Sequence, residues 1–109
     1  MTKVDWDKLV EDLKIGKELA ELAAQGEDGG SANLDTVYIR LPRQRESKVM
    51  KAFEKAGLRA MKRNYLGSVI YIIDGIRCGI GNSNYRATQA MYKYLKEQGW
   101  DVSVLYTVD

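Results

Sequence analysis

The hydrophobic residues of this chain switch between two kinds of spacing, and this switching limits its fold more than any other feature. Apolar and polar residues alternate with a period of two at 36–41, which is typical of a half-buried strand that ends before Pro42. The β-branched run 69–73 indicates a strand buried on both faces. Alternation returns at 100–108, so the sequence predicts at least three strands spread along the chain.

Two stretches between these strands have helical spacing. The first has its apolar face within 49–56 and ends at Gly57. The second begins with a capping residue within 82–84 and ends at Gly99. The sequence therefore predicts a helix after the first strand and another before the last.

The position of a fourth strand is left open by the sequence. Residues 58–63 show a short alternation, whereas Asp74-Gly75 has the composition of a tight hairpin turn into 76–80. Either segment, or both, would pair with the strand at 69–73.

The N-terminal region adds one more helix. Thr2 and Asp5 have the spacing of a capping box, and apolar residues then recur at helical spacing over 4–25. The order helix, then strand–helix–strand–strand–helix–strand, is the βαββαβ order of a ferredoxin-like sandwich preceded by an amphipathic helix. We expect an α+β fold with an antiparallel sheet and two helices on one face. The segments would be an acidic N-terminal helix at 1–25, a flexible Gly-rich acidic linker at 26–35 and a single α+β domain at 36–109.

Chain length and composition limit the number of domains and the cellular setting that we expect. A chain of 109 residues suits one domain. The single cysteine, Cys78, lies in an apolar run where a buried thiol is expected, and it favours a reducing cytoplasmic setting. No apolar run approaches the ~18 residues of a membrane span, so we expect no membrane association.

Charge is unevenly distributed along the chain. Residues 1–35 carry four lysines against nine acidic residues, whereas 40–63 carries nine Lys or Arg residues against two glutamates. A concentrated positive field of this kind indicates an anionic partner such as nucleic acid. The alternative is that the basic segment pairs internally with the acidic helix.

One stretch is similar to an RNA-binding motif. Residues 37–42 (VYIRLP) resemble the first-strand motif of RNA-recognition domains, in which an outward aromatic residue, here Tyr38, stacks on a base. The stronger third-strand motif of that family is not matched, because 64–71 keeps only Gly67 and scattered tyrosines. The family is therefore not assigned.

Few residues are suited to catalysis. The chain has no histidine, which removes the commonest general base and the commonest metal ligand. The segment 79–84 precedes a helix and offers backbone amides to a phosphate, although the sequence favours the simpler explanation of two glycines that bend the chain into a capped helix. We expect no enzymatic activity, no metal and no cofactor. The phosphate contact, if made, would involve Gly81, Asn82, Ser83 and Arg86.

Protein binding is the rival hypothesis. Tyr85 and Tyr92 are seven residues apart on one helix and would form an interface, or else complete the rim of the core. A homodimer is a further expectation, because a free N-terminal helix with an apolar stripe would need a partner. In size and style the chain resembles phage or mobile-element accessory proteins, including inhibitors of bacterial defence systems, but no motif supports that analogy.

The sequence thus favours a small non-catalytic domain that binds RNA or single-stranded DNA, with a protein-binding adaptor or inhibitor of a nucleic-acid-processing machine as the alternative. Contact with four to six phosphates predicts a slope of log affinity on log salt of roughly −3 to −4 on a single strand. The predicted nucleic-acid-binding residues are Tyr38, Arg40, Arg43, Arg45, Lys48, Lys51, Lys55, Arg59, Lys62, Arg63 and Tyr65.

Overall fold

A computed structural model describes residues 3–27, 29–30, 33–79 and 81–106. Within these residues, three helices and four strands follow one another in an α+β architecture, which confirms the predicted α+β class. In chain order they are α1 (Trp6–Ala24), β1 (Thr36–Ile39), α2 (Glu46–Lys55), β2 (Arg59–Tyr65), β3 (Ser68–Asp74), α3 (Asn82–Glu97) and β4 (Val102–Leu105).

The four strands form one antiparallel sheet in the order β2-β3-β1-β4, with β1 and β3 at its centre. Strands β1 and β2, which α2 connects, are parallel to each other with β3 between them. Strands β3 and β4, which α3 connects, are likewise parallel with β1 between them. Each helical connection therefore crosses over a strand of opposite direction.

The hairpin of the sheet joins β2 to β3. All seven residues of β2 pair with β3, from Arg59 opposite Asp74 to Tyr65 opposite Ser68. Its two-residue turn is Leu66-Gly67, with φ angles of 50° and 80°, and positive φ at both central residues matches the twist of paired strands.

The hairpin turn predicted at Asp74-Gly75 is wrong. Asp74 ends β3, and Gly75 uses its positive φ of 101° to lead the chain away from the sheet, so 76–79 form no strand. A β-carbon on Gly75 would lie 3.4 Å from the Cα of Leu58. Cys78 is consequently exposed rather than buried, and its Sγ donates to Oδ1 of Asn84 at 3.4 Å.

The two faces of the sheet have different surroundings. One face contributes Val37, Ile39, Tyr71 and Ile73 to the main core, which it shares with all three helices. The other face, here called the open face, carries a small second cluster of Tyr38, Ile70 and Ile72, against which Tyr65 and Leu105 pack. Every described member of that second cluster comes from a strand.

Helix α1 packs on helices of its own chain. Leu9 and Leu13 are fully buried in the same core as Met91 and Leu95 of α3. Asp5 caps the helix by accepting from the backbone N–H of Lys8 at 3.1 Å, while Thr2 of the predicted capping box lies outside the described residues. The apolar stripe of α1 is therefore covered in part within the chain, on the side of the sheet opposite the open face, while Leu19 and Leu22 remain 38% and 60% exposed. Among the described residues no helix combines the length and apolar character that crossing a bilayer requires.

Gly16 lies where α1 meets α3, and replacing it with alanine is expected to raise the free energy of unfolding by about 0.5–1 kcal/mol. Alanine has the higher helix propensity, and its β-carbon would lie 3.5 Å from Cε of Met91, an ordinary contact. A rise of several degrees in the midpoint of thermal unfolding is the corresponding observation. Gly99→Ala is the matched control and should lower the midpoint, because φ is 93° there. A fall for Gly16→Ala would contradict this packing.

Candidate nucleic-acid interface

The basic segment 40–63 does not form one surface. Lys48, Lys51 and Lys55 lie on the side of α2 that faces α1, where they line a groove with Trp6 and Val10 of α1. The opposite side of α2 carries its two glutamates. Glu46 accepts from Nζ of Lys62 at 3.1 Å, and Glu54 lines a hollow next to Arg59. Helix α2 thus separates its lysines from the arginines of β2.

Internal neutralisation by the acidic helix is not observed. Within the described ranges, the ion pairs are Lys8–Asp12, Arg40–Asp101, Arg59–Asp74 and Lys62–Glu46, and none of them joins α1 to α2. The lysines of α2 remain solvent-exposed beside α1. The three lysines of α2 are therefore available to an external anion, with Asp7 of α1 as the acidic residue that lines the same groove.

The open face gathers the other part of the predicted site. Strand β2 directs Arg59, Met61, Arg63 and Tyr65 to this face, because Met61 is opposite Ile72 and Arg63 is opposite Ile70 in the register with β3. Tyr38 of β1 is also opposite Ile72 and so shares the same face. Three strands therefore bring aromatic and basic side chains together.

Two tyrosines form the aromatic centre of the open face. The ring centroids of Tyr38 and Tyr65 are 5.8 Å apart at an interplanar angle of 59°. The guanidinium of Arg40 lies 5.1 Å from the ring centre of Tyr38, and Tyr38, which also packs in the cluster with Ile70 and Ile72, is only 6% exposed. The ring predicted to stack on a base is thus covered in this structure, and Tyr65, which is half-buried, holds the outer position.

Ion pairing on the open face is weak. Arg59 and Asp74 are 3.2 Å apart, but their side chains are 76% and 50% exposed, and exposed pairs of this kind contribute at most about 1 kcal/mol. Arg63 makes no ion pair with any described residue. A phosphate can therefore compete for both guanidinium groups.

Lys62 belongs to the other side of β2. Its hydrogen bond to Glu46 raises the pKa of the lysine above its ordinary value. It faces the helices together with Tyr71, whose pKa is raised by burial. The structure therefore does not bring Lys62 together with Arg59 and Arg63.

Arg43 and Arg45 lie in the connection from β1 to α2. Arg45 is exposed at the N-terminus of α2, and its side chain makes no capping hydrogen bond. Arg43 is exposed in the turn that follows Pro42 and lines a cleft that also contains Arg40. The antiparallel registers place the end of β1 toward the same end of the sheet as Tyr65 and the β2–β3 turn, with β3 between β1 and β2.

The residues of the predicted phosphate contact bind other parts of the chain. Ser83 is buried and accepts from the backbone N–H of Gly79 at 2.9 Å. Arg86 donates through Nε to the carbonyl of Ala23 at 2.8 Å and through Nη2 to that of Glu27 at 2.7 Å. Gly81 is the N-cap of α3. A phosphate at this point would have to replace these bonds.

The two tyrosines of the predicted protein interface have different environments. Tyr85 is 50% exposed. Tyr92 packs against the main core, and its hydroxyl accepts from Nζ of Lys96 at 3.0 Å, which raises the pKa of that lysine. Only Tyr85 is therefore presented to solvent as a broad apolar surface.

Sequence reasoning missed Met61, which is 47% exposed on the open face. A period-two pattern in the sequence places Met61 on the same face as Arg59, Arg63 and Tyr65. The pattern can be recognised only when the predicted strand is extended from residue 63 to residue 65. The described residues contain no group of three or more side chains suited to a metal ion. The chain matches no protein-family model, no curated protein and no solved structure.

Proposed function

We propose that this protein is a non-catalytic domain that binds single-stranded RNA or DNA on the open face of its sheet. The observation that carries the proposal is the placement of Arg59, Arg63 and Tyr65 side by side on a sheet face whose described cluster contains no helix residue. Proteins that bind single strands without sequence preference combine a basic surface with aromatic rings on which bases stack.

Each of these side chains has a distinct part in the proposed complex. Tyr65 stacks on one base, and the tilted ring of Tyr38 supports it from below. Arg59 and Arg63 are four residues apart on one strand, hence about 13 Å along it, and so contact separate phosphates. Arg40 adds a third cation at the far side of Tyr38. The proposed contacts are made to the phosphates of the strand and to the flat faces of its bases. Every nucleotide has both, so we predict little sequence preference.

We also propose that residues 36–105 form a ferredoxin-like sandwich. The βαββαβ order of the elements and the two crossover connections support this assignment. Such an arrangement would leave one face of the sheet to a ligand, as the proposed function requires.

The test is fluorescence anisotropy of labelled single-stranded RNA and DNA, titrated with nuclease-treated protein at about 50 and about 200 mM salt. Three arginines on phosphates predict a slope of log affinity on log salt of about −2, since each contributes about −0.7 on a single strand. A blunt duplex of the same length is the control and should bind more weakly, because its bases are not free to stack on Tyr65. Absence of binding at the lower salt concentration would refute the proposal.

A further inference from the structure

A second concave surface lies at the end of the molecule where α1 begins. Its volume is about 630 Å³, and its walls are the start of α1, the connection after β1 and the turn between α3 and β4. Four cations and two carboxylates line it. The cations are Lys3, Lys8, Arg40 and Arg43, and the carboxylates are Asp5 and Asp101.

Both carboxylates and two of the cations already have partners. Asp5 accepts from the backbone N–H of Lys8 as the cap of α1, and Asp101 lies 3.7 Å from Nη1 of Arg40. Nζ of Lys8 donates to Asp12 and to the carbonyl of Gln98. The side chains of Lys3 and Arg43 bind none of the described residues. These two leave the cleft with uncompensated positive charge.

The backbone of Arg43 is unusual. Its φ is 62°, a left-handed conformation that residues with a β-carbon seldom adopt. It follows Pro42, so it occupies a turn position at which glycine is the common residue. Strained backbone of this kind concentrates at ligand-binding sites. An arginine at this position places a guanidinium at the cleft at the expense of turn stability.

The cleft also offers a fixed aromatic ring. Nε1 of Trp100 donates to Oδ2 of Asp12 at 2.8 Å, and Nζ of Lys8 lies 5.3 Å from the ring centre. Trp100 is half-buried, so part of its side chain remains accessible beside the cations. An aromatic surface next to uncompensated cations suits a ligand that has both a planar ring and a dianion.

We propose that this cleft binds the phosphomonoester group of a nucleotide, with Lys3 and Arg43 on the phosphate and the base against Trp100. The inference goes beyond strand binding on the open face. It does not depend on it, because the two proposed phosphate ligands, Lys3 and Arg43, have no part in the open-face site and Arg40 is the one cation that the two sites share. The phosphomonoester can belong to a free nucleotide or to the phosphorylated end of a nucleic-acid chain. Both sources present the same dianion.

Equilibrium dialysis of the wild-type protein against adenosine 5′-monophosphate, adenosine and inorganic phosphate at about 50 mM salt tests the proposal. The monophosphate should bind with a dissociation constant below about 1 mM, and adenosine at least tenfold more weakly. Inorganic phosphate should displace the monophosphate. Equal binding of adenosine and its monophosphate, or no binding of either, would overturn the proposal.

Two variants connect the binding to the cleft. Arg43→Gly should weaken binding of the monophosphate at least tenfold while the thermal midpoint stays equal or rises, because glycine adopts the positive φ without strain. Lys51→Gln, which removes a cation outside the cleft, should change binding less than threefold. Unchanged affinity in Arg43→Gly would overturn the proposal even if the monophosphate binds.

A last comparison identifies the source of the phosphate. A 5′-phosphorylated and a 5′-hydroxyl oligonucleotide are titrated in the Tyr65→Ser background, which removes the proposed stacking residue of the open face. Tighter binding of the phosphorylated strand by tenfold or more assigns the cleft to chain ends and supports the proposal. Binding of the free monophosphate with no preference between the two strands supports it with a free nucleotide as the ligand.

Discussion

Replacing Asp12 with alanine is expected to lower the free energy of unfolding by about 3 kcal/mol, the largest effect that a single polar side chain should have here. Asp12 is 5% exposed. It accepts hydrogen bonds from Nζ of Lys8 at 2.5 Å, Nε1 of Trp100 at 2.8 Å and the hydroxyl of Tyr94 at 3.4 Å. Loss of the carboxylate would leave the half-buried donors of Trp100 and Tyr94 without this partner.

The carboxylate of Asp12 joins α1 to α3 and to Trp100, in the connection between α3 and β4. Burial and then the charge of Asp12 raise the pKa of Tyr94 above its ordinary value. The folded chain therefore holds the phenol proton more tightly than the unfolded chain does. The neutral phenol of Tyr94 therefore contributes to the free energy of unfolding. The contribution is fully present below pH ~10 and is lost as the pH rises through the pKa of Tyr94 in the folded chain.

Urea unfolding followed by tryptophan fluorescence measures the effect of Asp12→Ala. Asp7→Ala is the matched control, since Asp7 is exposed in the first turn of the same helix and its removal should cost no more than about 1 kcal/mol. A loss for Asp12→Ala of less than 0.5 kcal/mol, on the order of a typical surface substitution, would show that the network does not hold α1 in place.

Replacing Arg86 with methionine should lower the free energy of unfolding by about 2 kcal/mol. The guanidinium donates to the carbonyls of Ala23, Ala24, Gln25 and Glu27, at distances from 2.7 to 3.4 Å. The last carbonyls of a helix have no partner within it, and a cation at that end is favourable. Methionine keeps the apolar stem but removes all of these charge-assisted bonds.

Two further measurements separate this structural role of Arg86 from a phosphate contact. Hydrogen exchange at the last turn of α1 should become faster in Arg86→Met, while oligonucleotide affinity should stay within threefold of the wild type. Arg45→Met is the control, because the side chain of Arg45 makes no capping bond. A large loss of affinity with unchanged stability would restore the phosphate contact predicted from the sequence.

Hydrophobic periodicity was enough to predict most of the elements. The alternation at 36–41 and the β-branched run at 69–73 correspond to β1 and β3, and the helices predicted around 49–56 and 82–98 correspond to α2 and α3. These patterns depend on burial, which repeats with the geometry of each element. The fold class could therefore be predicted from the sequence.

Turn chemistry misled the prediction of the hairpin. Asp-Gly is a common hairpin dipeptide, yet the chain uses Leu66-Gly67, with the 85% exposed Leu66 at a φ of 50°. Leucine gives no local signal for a left-handed conformation. The seven paired residues of β2 and β3 fix this turn instead, so only the long-range pairing could reveal it.

The candidate site was predicted from residues that are close together along the chain. Closeness in sequence does not determine on which face of a helix or strand a side chain lies. Lys55 and Arg59 are four residues apart, but α2 ends between them and Lys55 faces α1 whereas Arg59 faces the open side of the sheet. Likewise Tyr38 was predicted as an exposed ring, and Arg40 and Tyr65 cover it. Neither outcome follows from composition or spacing.

The most direct test of strand binding on the open face is a comparison of two triple variants in the anisotropy titration. One variant, Arg59→Gln with Arg63→Gln and Tyr65→Ser, removes the open-face contacts. The other, Lys48→Gln with Lys51→Gln and Lys55→Gln, removes three cations from the far side of the molecule. Thermal unfolding of both variants verifies that they are folded. We predict that the first loses at least about 30-fold in affinity, given 1–3 kcal/mol for a stacked base, and the second less than threefold. A large loss confined to the lysine variant would contradict the account and move the binding surface to α2.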